Sequence, residues 1–210
     1  MKKKHRFGEG DYRVDTDETL HQGFFRMSKV TLSHKLFGGG WSKPLQRELF
    51  NRGEAVGVLL YDPINHLVGI VEQFRVGALK EQDGPWQYEL VAGMMKPGES
   101  SVDVAVRELQ EEAGVKTYAL IPICNYLVSG GGTDEKMHLL CGLADLGKGG
   151  GIFGLEEESE DILFQVWPYK EAVQALNDGL LNNAATTIAM LWLQLNYQQL
   201  QTTAQNEVAQ

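Results

Sequence analysis

Cysteine is scarce in this chain of 210 residues: Cys124 and Cys141 are the only two. Two thiols make no disulfide framework, and a chain of this length builds a core without one, so both read as small buried apolar residues. Positive charge is short as well, with 19 lysines and arginines against 28 acids and a net charge of −9. A partner held by phosphate neutralisation needs a basic excess, which argues against nucleic acid. Long apolar runs are missing too. The longest, residues 188–195, is interrupted by Gln194 and is far shorter than the ~20 residues that span a bilayer. The opening MKKKHR is basic, but FGEGDYRVD follows where a secretory leader has a continuous apolar stretch. The expectation is a cytoplasmic protein with no membrane partner.

What is present is an ordinary globular composition, 43% hydrophobic and 22% charged, which excludes a disordered or fibrous chain. Residues 1–53 open polar and then alternate loosely through GFFRMSKVTLSHKLF, residues 23–37, which suits a strand ending at the glycines 38–40. They read as a small β-rich unit. From Glu54 the pattern sharpens: EAVGVLLY is an apolar run, DPINH a turn and LVGIVEQF a second run, predicting a hairpin that turns at Asp62 and Pro63. Further strands are expected at 87–91, 120–128, 137–143 and 162–167. Helical spacing appears at 101–113, where Val102, Ala105, Val106, Leu109 and Ala113 form an apolar stripe. Ser100 with Asp103 resembles a capping box, and Gly114 stands at the stop. Two more helices are expected, at 170–178, ended by Gly179, and at 183–200, whose packing face is Ile188, Leu191, Trp192 and Leu195. The stretch 201–210 is expected to fray. Strands, a helix, strands and two helices predict an α/β (α+β) fold. Its core is an α/β/α sandwich around a mixed sheet over residues 54–200, preceded by the β-rich unit.

The helix at 101–113 carries a second pattern, because Arg107, Glu108, Glu111 and Glu112 fall opposite the stripe. At 3.6 residues per turn Glu108 and Glu112 lie one above the other, with Glu111 beside them. Like charges at that spacing repel, and a divalent cation would offset the repulsion. Carboxylates without a nearby histidine or cysteine make a hard-oxygen site, which favours magnesium or manganese over zinc. For a bare E-x-x-E-E the ordinary alternative is a solvated helix face. The surrounding residues decide against it.

Residues 93–115 read GMMKPGESSVDVAVRELQEEAGV. This stretch resembles the Nudix hydrolase signature at every position: glycine, five residues, glutamate, seven residues, Arg-Glu, an aliphatic, any residue, Glu-Glu, any residue, glycine, an aliphatic. A chance match at a given start is on the order of 10⁻⁹. Gly93 and Gly98 permit a tight loop between a strand and the helix. The resemblance implies hydrolysis of a nucleoside diphosphate linked to another moiety, the α/β/α fold and bound magnesium. It further implies Glu108 and Glu112 as metal ligands, supported by Glu99, Arg107 and Glu111, with the backbone carbonyl of Ala92 as a further ligand. Such ions neutralise a pyrophosphate and polarise an attacking water.

Over nearly the whole chain the likeness is to the bacterial ADP-ribose pyrophosphatase subfamily. It runs through GFF at 23–25, RELFNRG at 47–53, VEQFR ending at Arg75, ELVAG before the box, SGGGTDE at 129–135, GLEEESEDI at 154–162 and NNAATTIAMLWLQL near the end. The subfamily's reaction is the magnesium-dependent conversion of ADP-ribose to AMP and ribose 5-phosphate. On that likeness Arg75 contacts the diphosphate, a fitting use of a permanently charged multidentate donor. Phe24 and Phe25 sit at the adenine, and Met94 is a further substrate position. Arg47, Glu48 and Arg52 belong to a region that crosses to the partner of a domain-swapped homodimer. Ser129, Gly130, Gly131 and Glu135 resemble the loop that holds the terminal ribose, although the subfamily has proline where Gly130 stands. In the acidic run the likeness puts Glu158 at the catalytic base and Glu160 at a metal ligand; Glu156 and Glu157 are chemically identical neighbours that only register separates from the base. A mobile loop that delivers its base when substrate and metals are bound limits stray hydrolysis. Gly149, Gly151 and Gly154 fit G-x-G-x-x-G, but an acidic stretch follows where a dinucleotide site needs a helix. The rival readings are a Nudix pyrophosphatase for another nucleotide sugar such as GDP-mannose, and a non-catalytic ADP-ribose sensor. The intact box and the lack of a basic helix-turn-helix weigh against the sensor.

Overall fold

The computed structural model describes residues 4–147 and 149–208, so the first three residues of the basic opening and the last two of the tail lie outside the described residues. The chain divides into two compact units, one holding the residues up to Gly53 with Leu127–Glu135, the other Glu54–Tyr126 with the residues from Lys136 on. The expected boundary at 53 and 54 left 127–135 with the second unit. Hydrogen bonds fasten it to the first instead: the Phe50 N–H donates to the Gly132 carbonyl at 2.9 Å and the Asp134 N–H to the Phe50 carbonyl at 3.3 Å.

The first unit is an antiparallel sheet in the order β1 (Tyr12–Gln22), β2 (Arg26–His34), β3 (Leu45–Asn51). The strand expected over 23–37 is shorter, because residues 23–25 form the turn from β1. Neither β1 nor β3 was predicted. Every residue of β1 is exposed, so it lacks the apolar alternation by which strands are recognised. It is paired by charge instead, Asp17 with Arg26 at 2.5 Å and Glu18 with Lys29 at 2.9 Å.

In the second unit the predicted hairpin is β4 (Glu54–Asp62) and β5 (Leu67–Phe74). Asp62 closes its turn by accepting the N–H groups of Ile64 and Asn65, both at 2.9 Å. The two strands pair only from Leu60↔Gly69 to Asp62↔Leu67 and then splay. Into the gap run β6 (Trp86–Glu89), which pairs with β5, and β7 (Val91–Met94), which pairs with β4. The single strand expected at 87–91 is thus two, changing partner at the buried Leu90. The splay sets the backbone of Ala92 and Gly93 inside the sheet, under α1 (Ser101–Glu112).

The remaining strands are β8 (Ala119–Leu127), β9 (Lys136–Leu143), β10 (Gly151–Phe153) and β11 (Ile162–Pro168), in the order β10-β11-β5-β4-β9-β8. The sheet is mixed, as expected, since β4 and β9 run parallel while β4–β5 and β5–β11 are antiparallel. Strand alternation divides the core. Val56, Val58, Leu60, Val91 and Leu140 pack with Val104, Ala105 and Leu109 of α1. Leu59, Tyr61, Ile70, Leu139 and Cys141 pack against α2 (Tyr169–Asn177) and α3 (Ala184–Val208) on the other face. This is the α/β/α layering.

Two helical expectations need correction. The buried side of α3 is Thr186, Ala189, Met190 and Leu193, while Leu191 and Leu195 are exposed. AMLWLQL is apolar almost all round, so spacing alone does not choose a face. The stretch after Leu200, expected to fray, is helical to Val208. Leu200 and Ala204, four residues apart, are buried on one side of it. No helix among the described residues is long and apolar enough to cross a membrane.

Candidate active site

Ser100 caps α1 as expected, accepting the Asp103 N–H at 3.2 Å while the Asp103 carboxylate accepts the Ser100 N–H at 3.3 Å. Of the expected stripe α1 buries Ala105, Leu109 and Ala113 but not its two valines. Val102 and Val106 are exposed, and the inward side reads Val104, Ala105, Glu108, Leu109, Glu112, with Glu108 8% and Glu112 3% exposed. The two carboxylates placed opposite the apolar stripe, and expected as metal ligands, are inside.

Each is held by the splayed strand beneath it. The Ala92 N–H donates to Glu112 at 3.0 Å. Glu108 lies directly on Gly93, where a Cβ would fall 1.6 Å from its Oε1; only glycine leaves room for that carboxylate. Arg107 ties the rest together through Glu108 at 2.7 Å, Glu111 at 3.3 Å and Glu99 at 3.6 Å, and it also donates to the Met94 carbonyl at 3.3 Å. Glu99 in turn accepts the Lys96 N–H at 2.7 Å and so shapes the loop before the helix. Thus Ala92, Met94, Glu99, Arg107, Glu108, Glu111 and Glu112 form one cluster.

Burial pushes the Glu112 carboxyl up to about 8, with the charges of Glu108 and Glu160 adding to the push. Glu108 is raised by burial too. The acidic loop therefore reaches the field of the helix. It is anchored there because the Gly154 N–H donates to the Glu111 carbonyl at 3.2 Å, and Phe153 packs on Gly114. Glu156–Glu158 form a single 3-10 turn ended by Ser159 at φ 56. Glu158 is exposed, and the Glu160 carboxylate accepts the Leu155 N–H at 3.3 Å. No helix opens after Gly149, Gly151 and Gly154, in keeping with the dismissal of the dinucleotide motif.

Arg75 follows β5 on the far side of the gap. Its Nε and Nη2 donate to one oxygen of Glu89 at 2.9 and 2.7 Å, and Gln73 donates to the same oxygen at 3.4 Å. Sequence reasoning gave Glu89 no role. It was visible inside ELVAG, but nothing in one sequence showed that β5 and β6 pair and bring it to Arg75.

The remaining predicted residues belong to the first unit, where three distant segments meet. Phe25 stands edge-on to Phe24 at 4.7 Å and to Phe50 at 5.2 Å, and the Arg52 guanidinium lies 4.6 Å from the Phe25 ring centre. Arg52 also pairs with Glu135 at 3.1 Å. The N–H groups of Arg52 and Gly53 donate to Asp134 at 2.7 and 3.2 Å. Ser129 accepts the N–H groups of Gly132 and Thr133, both at 3.0 Å. Neither Gly130 nor Gly131 has a left-handed φ. Phe24 is 87% exposed; Arg47 and Glu48 are also exposed, on β3.

Among the described residues no three His, Cys, Asp or Glu side chains close on one point. The donor set nevertheless fits a hard cation. Glu112 and Glu108 are carboxylates raised by burial and then by neighbouring acids, and each has lone pairs beyond the one hydrogen bond it accepts. Positive charge between them would relieve the strain that burial creates.

The NUDIX domain model matches residues 51–186. The chain is 41% identical over 194 residues to the ADP-ribose pyrophosphatase of Escherichia coli (strain K12), covering 92% of this chain and 93% of that protein. With the ADP-ribose pyrophosphatase of Haemophilus influenzae it shares 41% over 198 residues, 93% and 91% of the two chains. A GDP-mannose pyrophosphatase of Cronobacter sakazakii is 27% identical over 184 residues, 85% and 93% of the two. Among solved structures, one titled as an ADP compounds hydrolase superposes with a TM-score of 0.64 at 21% identity, over 88% of this chain and 95% of that one, which is a likeness of fold. With more than half the chain inside the family model and the box carboxylates seated as described, the chain belongs to the NUDIX domain family.

Proposed function

We propose that this chain hydrolyses ADP-ribose to AMP and ribose 5-phosphate with magnesium, manganese being able to replace it, as a cytoplasmic, domain-swapped homodimer. The observation that carries the reading is the pair of buried carboxylates on Ala92 and Gly93, in a chain 41% identical over nine-tenths of its length to ADP-ribose pyrophosphatases. Glu108, Glu112, Glu160 and the Ala92 carbonyl would hold the metal. When bound it neutralises the diphosphate and polarises the attacking water. Glu99, Arg107 and Glu111 keep Glu108 in place. Arg75, fixed by Glu89, orients the diphosphate. Glu158, exposed on its 3-10 turn, takes the proton from water. Met94 lies beside the substrate. In the first unit Phe24 and Phe25 receive the adenine, with Arg47, Glu48 and Arg52 acting on the partner's substrate, and Ser129, Gly130, Gly131 and Glu135 hold the ribose. Both cysteines are free, which suits a reducing compartment.

The 27% identity to a GDP-mannose pyrophosphatase supports a second substrate reading. Incubation of the purified chain with ADP-ribose, GDP-mannose and related nucleotide sugars, with and without magnesium, decides between them. We expect AMP from ADP-ribose at the highest kcat/KM and a large loss in Glu158→Gln. Absence of AMP sinks the substrate assignment, and full activity in the variant sinks the base.

A further inference from the structure

One charged cluster on the α1 face of the sheet has no part in the site described above. Val56, Val58 and Leu60 of β4 face α1, and so does Leu140 of β9. Alternation puts Glu54 on that face in β4, and Lys136 and His138 on it in β9. The parallel register sets Lys136 beside Glu54 and His138 beside Val56, and Val56 pairs on its other side with Gly93. One row across three strands reads His138, Val56, Gly93, with Glu108 seated on the glycine. Two strand spacings, about 10 Å, separate the backbones at the ends of that row. Arg75 lies beyond β7 on the opposite side.

The charges in this region are unevenly matched. Arg107 meets three carboxylates, Glu99, Glu108 and Glu111, and Arg75 meets Glu89. At Glu54 two basic side chains share one carboxylate: His138 Nε2 bonds to it, and Lys136 Nζ lies 3.4 Å away. The Glu54 carboxyl is held below its usual range, first by the His138 bond. The His138 side chain is 14% exposed and that of Glu54 47%, so the imidazole is sheltered yet reachable. A carboxylate that accepts from Nε2 fixes the ring, and the imidazolium form then presents Nδ1–H as a donor to an anion's oxygen. A cluster with more donors than carboxylates, in a region otherwise crowded with acids, matches an anion with several acceptor oxygens.

We propose that His138 binds a phosphate oxygen of the substrate, with Lys136 beside it, and that Glu54 is the positioning residue that holds the imidazole for that contact. The proposal rests on the pyrophosphatase reading for its substrate. Phosphate on either side of the scissile bond has the required chemistry, so the two products serve as separate probes. Side-chain 15N resonances of the full chain, labelled at histidine, are followed while AMP or ribose 5-phosphate is added. The His138 signal is identified by its loss in His138→Gln. A shift with AMP assigns the contact to the nucleoside side, and a shift with ribose 5-phosphate to the sugar side. In steady state, His138→Gln and Glu54→Gln are expected to raise KM for ADP-ribose about three- to tenfold with little change in kcat. A His138 signal unmoved by both phosphates overturns the proposal. So does a variant in which kcat and melting temperature fall as KM rises, because that is a structural role. If the parent chain releases no AMP from ADP-ribose while the His138 signal still moves with a phosphate, the pyrophosphatase reading fails and the phosphate contact stands.

Discussion

Replacing Gly93 by alanine tests the geometry of the site at its tightest point. The added Cβ would lie 1.6 Å from Glu108 Oε1, 2.0 Å from Cδ and 2.6 Å from Cγ. Non-bonded carbon atoms settle near 3.5–4.0 Å, so the carboxylate must retreat by about 2 Å. The backbone presents no obstacle, because Gly93 is not in the left-handed region. The fold should therefore survive while Glu108 leaves the place where Arg107 and the strand hold it. A misplacement of about 1 Å already costs on the order of 10² in rate, so Gly93→Ala is expected to lose about 10²-fold or more in kcat. AMP release from ADP-ribose under saturating magnesium measures the loss, and far-UV circular dichroism with urea melts confirms the fold. A folded variant that retains activity within about threefold of the parent would show that the seat of Glu108 on Gly93 is unimportant to the reaction.

Three other perturbations probe the same frame. With the Glu112 carboxyl at about 8 in the folded chain against 4.5 as its ordinary value, the metal-free protein loses stability as pH rises from about 4.5 to 8, by at most about 5 kcal/mol. Glu112→Gln should flatten that decline in urea melts, melt higher at pH 8, lose activity and no longer gain stability from added divalent cation. Glu89→Ala releases both Arg75 hydrogen bonds and should raise KM for ADP-ribose about tenfold with little change in melting. An unchanged KM would mean that Arg75 needs no fixing. His66, at φ 58, accepts or donates a 2.8 Å bond with the Tyr61 hydroxyl and stacks on Tyr169 at 4.4 Å. Burial, then Lys170, lowers its pKa, so its contribution is full above about 6.5 and is lost as pH falls through the lower folded value. His66→Asn tolerates the left-handed backbone and should show a shallower loss of stability as pH falls below about 6.5. An equally steep loss assigns the acid sensitivity to other groups.

The parts of this molecule that were legible in the sequence are those governed by local rules. Asp62 closes the hairpin turn, Ser100 caps α1 and Gly114 ends it, each through bonds spanning a few residues. Apolar runs marked β4, β5 and β9 and the order of elements gave the layers, because these strands bury both faces with apolar side chains. What was missed depended on distant pairing. The first strand is exposed throughout and exists through its bonds to β2; the change of partner at Leu90 arises because β4 and β5 splay; Glu89 meets Arg75 only across that gap.

The error about α1 has the most bearing on function. A hydrophobicity rule assigns glutamate to the outside, so it rotated the helix until Val102 and Val106 faced in and the acids faced out. The structure keeps Ala105, Leu109 and Ala113 inside but turns the helix far enough to bury Glu108 and Glu112 and leave Val102 and Val106 exposed. Apolar burial alone would favour turning it back, since each half-exposed valine forgoes about 1 kcal/mol. The backbone beneath opposes it. The Ala92 N–H, released by the splay, has Glu112 as its acceptor, and Gly93 makes a recess that the Glu108 carboxylate fills. A helix that hides two carboxylates and displays two of its three valines has been shaped by something other than stability. Two raised carboxyls against an open strand are what a site must hold if positive charge is to arrive there with an anionic substrate.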